Sequence, residues 1–224
     1  MNPLFLPPFS KVLKVFGKII VSGELWRHFL ISIRRSISGF ALGVSVAVPL
    51  GLAIGWCRRF GSIIYPLLMI FRNLPTLALL PLFIMFFGIG EVSKTALILW
   101  GVMWATLLNT ISGVRNVDPQ LIKASRSMGT KPLRLFATVI LPASLPYIFA
   151  GMRISATTSI LILIAAEMMG ANSGLGYALF YYQSNFKTPE MYAYIIVMAF
   201  LGVTLNFVLE AVEKRLFRWR GSGN

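Results

Sequence analysis

Residues 37–56 read ISGFALGVSVAVPLGLAIGW, a run of twenty residues without a charged side chain. An α-helix rises about 1.5 Å per residue, so roughly 20 apolar residues cross the hydrocarbon core of a bilayer. Four further runs are similarly apolar, at 63–90, 95–114, 147–169 and 191–209. The sequence therefore predicts an all-α membrane protein, a polytopic bundle of about five transmembrane helices.

The composition agrees with this class. Hydrophobic residues make up 57% of the 224 residues, and the formal net charge is +14. In a soluble protein such a charge would favour nucleic-acid binding, but in a membrane protein it is typical of the Lys and Arg of cytoplasmic loops. We therefore expect membrane lipid around the chain and no nucleic-acid partner.

The basic residues also predict the orientation. The turn after residue 56, the segment 115–134 and the tail 210–224 are rich in Lys and Arg, and five spans place all three on one side. Cytoplasmic loops carry this excess, so these regions, including the basic tail, are expected in the cytoplasm. The sequence thus predicts an N-terminal lead-in, residues 1–36, followed by a single transmembrane domain, residues 37–209, and then the basic tail.

The lead-in, which contains an amphipathic segment, conflicts with that orientation. It is expected outside although six basic residues lie in it: Lys11, Lys14, Lys18, Arg27, Arg34 and Arg35. Either several of these side chains snorkel to a membrane surface, or a further leading span is missing from this chain. His28, also in the lead-in, is expected at the surface.

Segment 118–142 reads DPQLIKASRSMGTKPLRLFATVILP and interrupts the apolar runs. Asp118, followed by a proline, predicts the start of a helix, and Gly129 predicts its end. Thr130 would cap a second helix that has Pro132 in its first turn and ends near Pro142.

The first of these helices has a face of small and apolar residues, namely Leu121, Ala124, Ser125 and Met128. A helix that only lies on a bilayer usually carries bulky apolar residues. Small residues permit the close approach of another protein, so we expect this face to bind a protein partner.

Motifs at fixed spacing resemble those of a known family. Residues 123–125 (KAS), Gly129 and 139–142 (VILP) keep the spacing of the EAA motif, EAA-x3-G-x9-I-x-LP, with Lys123 in place of its Glu and Ser125 in place of its second Ala. That motif marks the membrane-spanning permease subunits of binding-protein-dependent ABC importers. Four further stretches are similar to the nitrate, sulfonate and taurine branch of these permeases: 71–82 (FRNLPTLALLPL), 87–90 (FGIG), 165–168 (AAEM) and 173–176 (SGLG).

The resemblance implies the type I importer permease fold (MetI-like) and a multi-pass location in the bacterial inner membrane. It also implies that segment 118–142 holds the coupling helix, which docks on a cytoplasmic ATPase dimer. The residues that match this contact are Leu121, Lys123, Ala124, Ser125, Met128, Gly129, Lys131 and Pro132.

Further partners follow from the same resemblance: a second permease subunit, expected to be a second copy of this chain, and an extracytoplasmic solute-binding protein. The chain contains no G-x4-GK-[ST] phosphate loop, so ATP and Mg²⁺ are expected on the ATPase. The permease itself is expected to be non-catalytic and to bind no cofactor.

The branch implies a small anion as the solute, such as an alkylsulfonate, taurine, nitrate or bicarbonate. Relatives that carry thiamine or flavin precursors leave a second class of solute open. A secondary transporter is the remaining rival, because Arg72–Pro75 could break a helix. Such folds are usually built from internal repeats, and the sequence shows none.

Four residues are candidates for the translocation pathway: Arg72, Asn73, Pro75 and Glu167. Ionisable residues inside a span usually face a cavity or a partner. Arg72 would therefore contact an anionic solute, or it would pair with carbonyl groups or with an acid such as Glu167. Glu167 would be either a hydrogen-bonded packing anchor or a solute contact.

Small residues recur every four positions along the first span, at Gly39, Gly43, Ala47, Gly51 and Gly55. Such ridges let helices pack closely in lipid. The ridge is expected either to pack within the subunit or the dimer, or to form a sliding surface used in gating.

Overall fold

The computed structural model describes residues 6–216, in which all regular elements are helical. In chain order the helices are α1 (Phe9–Val21), α2 (Glu24–Trp56), α3 (Arg58–Arg72), α4 (Leu80–Phe87), α5 (Glu91–Arg115), α6 (Pro119–Ser127), α7 (Pro132–Leu135), α8 (Leu141–Gly170), α9 (Leu175–Ser184) and α10 (Thr188–Leu216). A 3₁₀ turn, Thr76–Leu79, precedes α4, and a π-helical turn, Phe136–Ile140, joins α7 to α8. The predicted all-α class is confirmed.

Four stretches of the described chain are long and apolar enough to cross a membrane: Glu24–Trp56, Glu91–Arg115, Pro132–Gly170 and Thr188–Arg215. A fifth candidate is a bent pair of helices between the first two of these stretches. The described residues therefore contain four such helices, or five spans when the bent pair counts as one. This agrees with the predicted bundle of about five.

The two ends of the bundle can be distinguished by the elements that meet there. One end contains Glu24, Glu91 and Gly170, and in the expected orientation it is the outer end. Trp56 and Arg115 mark the opposite, cytoplasmic end, where α6 also lies.

Helix α5 is the centre of the bundle and packs between α2 and α8. The small residues of α2 face it: a Cβ added to Gly39 would lie 2.6 Å from the Cβ of Ile98, and one on Gly51 would lie 2.6 Å from the Cβ of Thr110. Side chains at these positions would prevent the two backbones from approaching this closely. The ridge therefore packs within the subunit, against α5.

The contact between α5 and α8 includes buried polar groups that satisfy one another. The Ser155 hydroxyl donates to the carbonyl of Val102 at 2.7 Å and lies 2.8 Å from the Thr106 hydroxyl. A Cβ on Gly151 would lie 2.7 Å from the Cβ of Asn109, so here too the helices are in close contact. Hydrogen bonds between helices replace the hydrogen bonds to water that these groups cannot make in lipid.

The predicted span 63–90 is wrong as a single helix. Its first helix ends at Arg72, and Thr76–Phe87 continues at an angle of 84°. Pro75 has no N–H to donate and disfavours a helical conformation at the residue before it, so the helix cannot pass through it. Pro81 lies in the first turn of α4, where no donor is needed.

Two other predicted boundaries are also wrong. Helix α2 begins at Glu24 and not at residue 37, so residues 24–36 belong to a spanning helix and not to a lead-in. Their polar side chains are accommodated because several of them pair inside the bundle. The helix expected to end near Pro142 instead continues into α8, because the π-helical turn just before Pro142 widens the backbone and accommodates the ring.

Candidate functional site

The first candidate site is helix α6 at the cytoplasmic end. The Asp118 side chain caps it by accepting a hydrogen bond from the N–H of Gln120 at 2.8 Å. Gly129 follows the helix with a φ of 74°, and the Thr130 N–H donates back to the carbonyl of Ser125 at 3.2 Å. Both predicted ends of this helix are confirmed, and both result from local sequence.

Helix α6 is attached to the bundle by one side only. Ile122 packs against Val114, Val117, Leu135 and Ile140, a cluster contributed by α5, α7 and the turns beside them. No residue of α6 is buried. The helix is therefore fixed to the ends of the spanning helices while its other faces remain open.

The residues expected to contact an ATPase lie on the open faces of α6 and in the segment that follows it, up to the start of α7. Ser125 is half-buried, and seven others are exposed: Leu121, Lys123, Ala124, Met128, Gly129, Lys131 and Pro132. Met128 and the neighbouring Leu133 are each 84% exposed. Apolar side chains with this much exposure outside the lipid are typical of a surface that binds a protein.

A second candidate site is a buried polar network at the outer end, centred on Glu167. The Glu167 side chain is 0% exposed. Its carboxylate accepts hydrogen bonds from the Ser32 hydroxyl (2.8 Å), the Arg35 guanidinium (2.8 Å) and the Gly176 N–H (2.9 Å). Glu167 thus acts as a hydrogen-bonded anchor that joins α8 to α2 and α9.

Arg35 extends this network to the start of α5. Its Nε and Nη2 donate to the carboxylate of Glu91 at 2.6 and 2.5 Å, and its Nη1 donates to the carbonyl of Ser173 at 2.6 Å. The side chain of Arg35 is 4% exposed, whereas that of Glu91 is 64% exposed. A buried guanidinium needs such partners, and here two acids from different helices supply them.

The loop before α9 completes the network through its backbone. The Gly174 N–H donates to Nδ1 of His28 at 3.0 Å, and the Leu175 N–H donates to the Ser32 hydroxyl at 2.8 Å. His28 is buried, so its predicted surface location is wrong. The histidine is inside because it accepts a hydrogen bond from a loop that closes over α2.

Gly174 is required at its position for two reasons. Its φ of 117° is a conformation that side chains disfavour, and an added Cβ would collide with the Glu167 carboxylate. The SGLG stretch therefore allows the loop backbone to approach a buried acid.

Tyrosines of α9 and α10 add a contact beside this network. The hydroxyls of Tyr182 and Tyr194 donate to the same oxygen of Glu24, at 2.6 and 3.1 Å. Burial and the neighbouring Glu24 raise the pKa of Tyr182 above its ordinary value, so this hydroxyl remains a donor. The start of α2 is thus tied to both helices.

His28, Ser32 and Arg35 were not predicted from the sequence as members of this site. The sequence did contain a signal for them. Gly39 and Gly43 lie on one stripe of α2, and His28, Ser32 and Arg35 continue this stripe toward the N-terminus. All five residues are buried. A stripe of small and polar residues along one face of a spanning helix indicates a packed interface.

The remaining pathway candidates lie apart from the network. Arg72, Asn73 and Pro75 are exposed at the bend between α3 and α4, and the Asn73 amide donates to the carbonyl of Met69 at 2.8 Å. Arg72 makes no ion pair within the described part of the chain. Of the alternatives given for Arg72, a pair with Glu167 is excluded in this structure, because that acid is paired with Arg35.

Solved structures share this fold. A structure reported as the MetNI methionine ABC transporter in inward-facing conformations superimposes with a TM-score of 0.75, over 82% of this chain and 92% of that one, at 20% sequence identity. At this identity the likeness establishes the fold alone. It confirms the predicted MetI-like architecture.

Relatives in sequence are closer. A protein of Bacillus subtilis named as the aliphatic sulfonates transport permease SsuC is 37% identical over 97% of this chain and 79% of its own length. The taurine transport system permease protein TauC of Escherichia coli is 33% identical over 99% of this chain and 82% of its own length. The family profile described as "Binding-protein-dependent transport system inner membrane component" matches residues 40–220. The chain belongs to this family of ABC transporter permeases.

Proposed function

We propose that this chain is the subunit that forms, with a second copy of itself, the translocation pathway of an ATP-driven importer for a small anion of the sulfonate or taurine class. Membership of the family and the similarity to SsuC and TauC support this solute class. The solute would be delivered by an extracytoplasmic solute-binding protein. ATP and Mg²⁺ would bind to a separate ATPase dimer, and the permease itself carries out no chemistry.

The observation that carries the proposal is the geometry of α6. One side of this helix is fixed to the bundle through Ile122, and the opposite side presents Leu121, Ala124 and Met128 at the cytoplasmic end. An ATPase that binds this face would push or pull directly on α5 and α7, because α6 is joined to both. The helix would thus transmit the closure of the ATPase dimer to the spanning helices.

The bend between α3 and α4 supports a role in passing an anion. Arg72 is a cation without an ion pair in the described part of the chain, and it lies where the candidate span is interrupted. A cation in this place would attract a negatively charged solute once a second copy encloses the pathway. Asn73 and Pro75 would shape the same region, whereas Glu167 would hold the outer end of each subunit together.

The test is co-purification of the ATPase with the tagged permease in its native host, followed by uptake measurements. Ala124→Asp would introduce a charge into the expected interface, where charges are usually depleted. Ser127→Asp, on the same helix but about 110° from the centre of the predicted face, is the matched control. We expect Ala124→Asp to lose ATPase recovery and uptake, and Ser127→Asp to retain both.

Uptake by the unmodified complex would then identify the solute. Labelled taurine or an alkylsulfonate should be taken up, and an excess of unlabelled sulfonate should compete with it, whereas nitrate, bicarbonate and a thiamine or flavin precursor should not compete if the solute belongs to the sulfonate or taurine class. Full ATPase recovery with Ala124→Asp would contradict the docking role of α6. Uptake that depends on a proton gradient and not on ATP would instead indicate a secondary transporter.

A further inference from the structure

Helix α1 lies at the outer end of the bundle and is attached along one side. Val12 and Ile19 are 4% and 6% exposed, and they pack in a cluster with Ala193, Tyr194 and Val197 of α10. These α10 residues follow soon after its start at Thr188, on the same end as the polar network. Gly23, with a φ of 78°, then turns the chain into α2.

The rest of α1 divides into two opposite faces. Residues of an α-helix are separated by about 100°, so Lys11, Lys14 and Lys18 share an arc of about 60°. All three lysines are exposed, and the helix contains no acidic residue. About 160° away from the centre of this arc lies an apolar face that includes Phe9 and Leu13, which are 72% and 58% exposed.

The apolar face of α1 continues into a groove in the side of the bundle. Phe16 and Ile20, from the same face, line an apolar groove of about 800 Å³ together with Phe40, Ile160, Phe200 and Leu205. These last four belong to α2, α8 and α10, three of the helices long enough to span a membrane. The apolar face is therefore continuous with a surface at the depth of the hydrocarbon.

We propose that α1 is an interfacial helix that binds the headgroups of anionic phospholipids in the outer leaflet. Three lysines on one face and apolar residues on the opposite face match the two sides of a membrane interface. Ammonium groups on the water-facing side lie where lipid phosphates are, and Phe9 and Leu13 reach the acyl chains. Clusters of basic residues on such helices bind anionic headgroups.

This proposal accounts for Lys11, Lys14 and Lys18, three of the six basic residues that conflicted with the predicted orientation. A soluble acidic partner, such as a solute-binding protein, would approach the lysines from water and would leave the opposite apolar face uncovered. Lipid covers both faces at once. The three lysines of α1 are then compatible with the orientation expected from the cytoplasmic loops.

Spin labels at two positions test the membrane contact in the full-length permease. Cys57 is the only cysteine, so Cys57→Ser provides a background for Leu13→Cys and, separately, Lys14→Cys. In lipid nanodiscs we expect the label at 13 to be reached by oxygen and poorly by a water-soluble nickel chelate, and the label at 14 to show the reverse. Equal access of the nickel chelate to both labels would overturn the proposal and favour a protein-docking surface.

Lipid selectivity is tested with a fluorophore on Leu13→Cys and brominated lipids as quenchers. We expect brominated phosphatidylglycerol to quench the fluorescence at least about two-fold more strongly than brominated phosphatidylcholine does at the same mole fraction. The combined variant Lys11→Gln, Lys14→Gln, Lys18→Gln should lose this preference. A control that removes the same charge at the cytoplasmic end, Lys123→Gln, Arg126→Gln, Lys131→Gln, should keep it. Equal quenching by the two lipids in the unmodified helix, or a preference that survives the first variant, would overturn the selectivity.

Discussion

The two ends of the bundle use their polar residues in opposite ways. At the cytoplasmic end, α6 has no buried residue, and both Lys123 on this helix and Met128 just after it are exposed. At the outer end, Arg35 and Glu167 are buried and paired with each other. An open surface can gain and release a partner without disturbing the subunit, whereas a closed network resists any change that leaves one of its charges alone.

The largest expected effect comes from opening the closed end. Arg35→Ala would leave the Glu167 carboxylate buried without its cation, and removal of one partner of a buried pair typically costs about 3–5 kcal/mol. We expect the purified subunit to lose most of its thermal stability and to aggregate in detergent. The melting transition, followed by size-exclusion chromatography after heating, measures this.

The adjacent exposed residue provides the control for that experiment. Arg34→Ala removes the same charge and the same side chain from a position that is exposed. Its melting transition should stay close to that of the unmodified subunit. Equal shifts for the two variants would mean that burial at the outer end is not what stabilises the bundle.

A change at the open end should separate function from stability. Gly129→Val places a β-branched side chain at a φ of 74°, where nothing lies within 4 Å of an added Cβ, so the effect is backbone strain alone. We expect ATPase association and uptake to be lost while the melting transition of the bundle changes little. Gly129→Asn, which tolerates this conformation, should retain association. Loss of association in both variants would indicate that Gly129 acts through something other than its φ.

A smaller effect is expected at the bend. Because Arg72 is exposed and forms no ion pair in the described part of the chain, Arg72→Gln should leave assembly and ATPase activity intact. Uptake of an anionic solute should fall severalfold, measured at matched levels of complex. Collapse of the complex would assign Arg72 a structural role and would exclude it as a separate pathway residue.

The smallest effect is expected for Lys123→Ala. Lys123 lies off the face formed by Leu121 and Met128, and exposed substitutions away from buried features usually change stability by less than about 0.5 kcal/mol. ATPase recovery should stay close to that of the unmodified permease. A recovery as low as that of Gly129→Val would extend the contact surface around the helix.

The features that were predictable from sequence are local ones. Asp118 and Gly129 define the ends of α6, because a helix cap depends only on a few neighbouring residues. The stripe from Gly39 to Gly55 indicates close packing by its period alone. The five apolar runs were found for the same reason, because length and hydropathy decide whether a helix can span a bilayer.

The features that were missed depend on residues far apart in the chain. Arg35 was interpreted as a lead-in residue because its acids, Glu91 and Glu167, follow it by 56 and 132 positions. His28 was placed at the surface because the loop that covers it comes 146 positions later. Sequence shows that a charge in a span needs a partner, but only the packing of the helices decides which partner it finds.

The long separation between Arg35 and its acids has a consequence for biogenesis. Arg35 is synthesised 56 residues before Glu91 and 132 residues before Glu167, so it is made before either of its counter-charges. The first acid arrives with α5, and the second arrives only with the C-terminal part of α8. The outer end can therefore close only late in synthesis, because a chain that stops before α8 leaves Arg35 paired with Glu91 alone and without the buried carboxylate of Glu167.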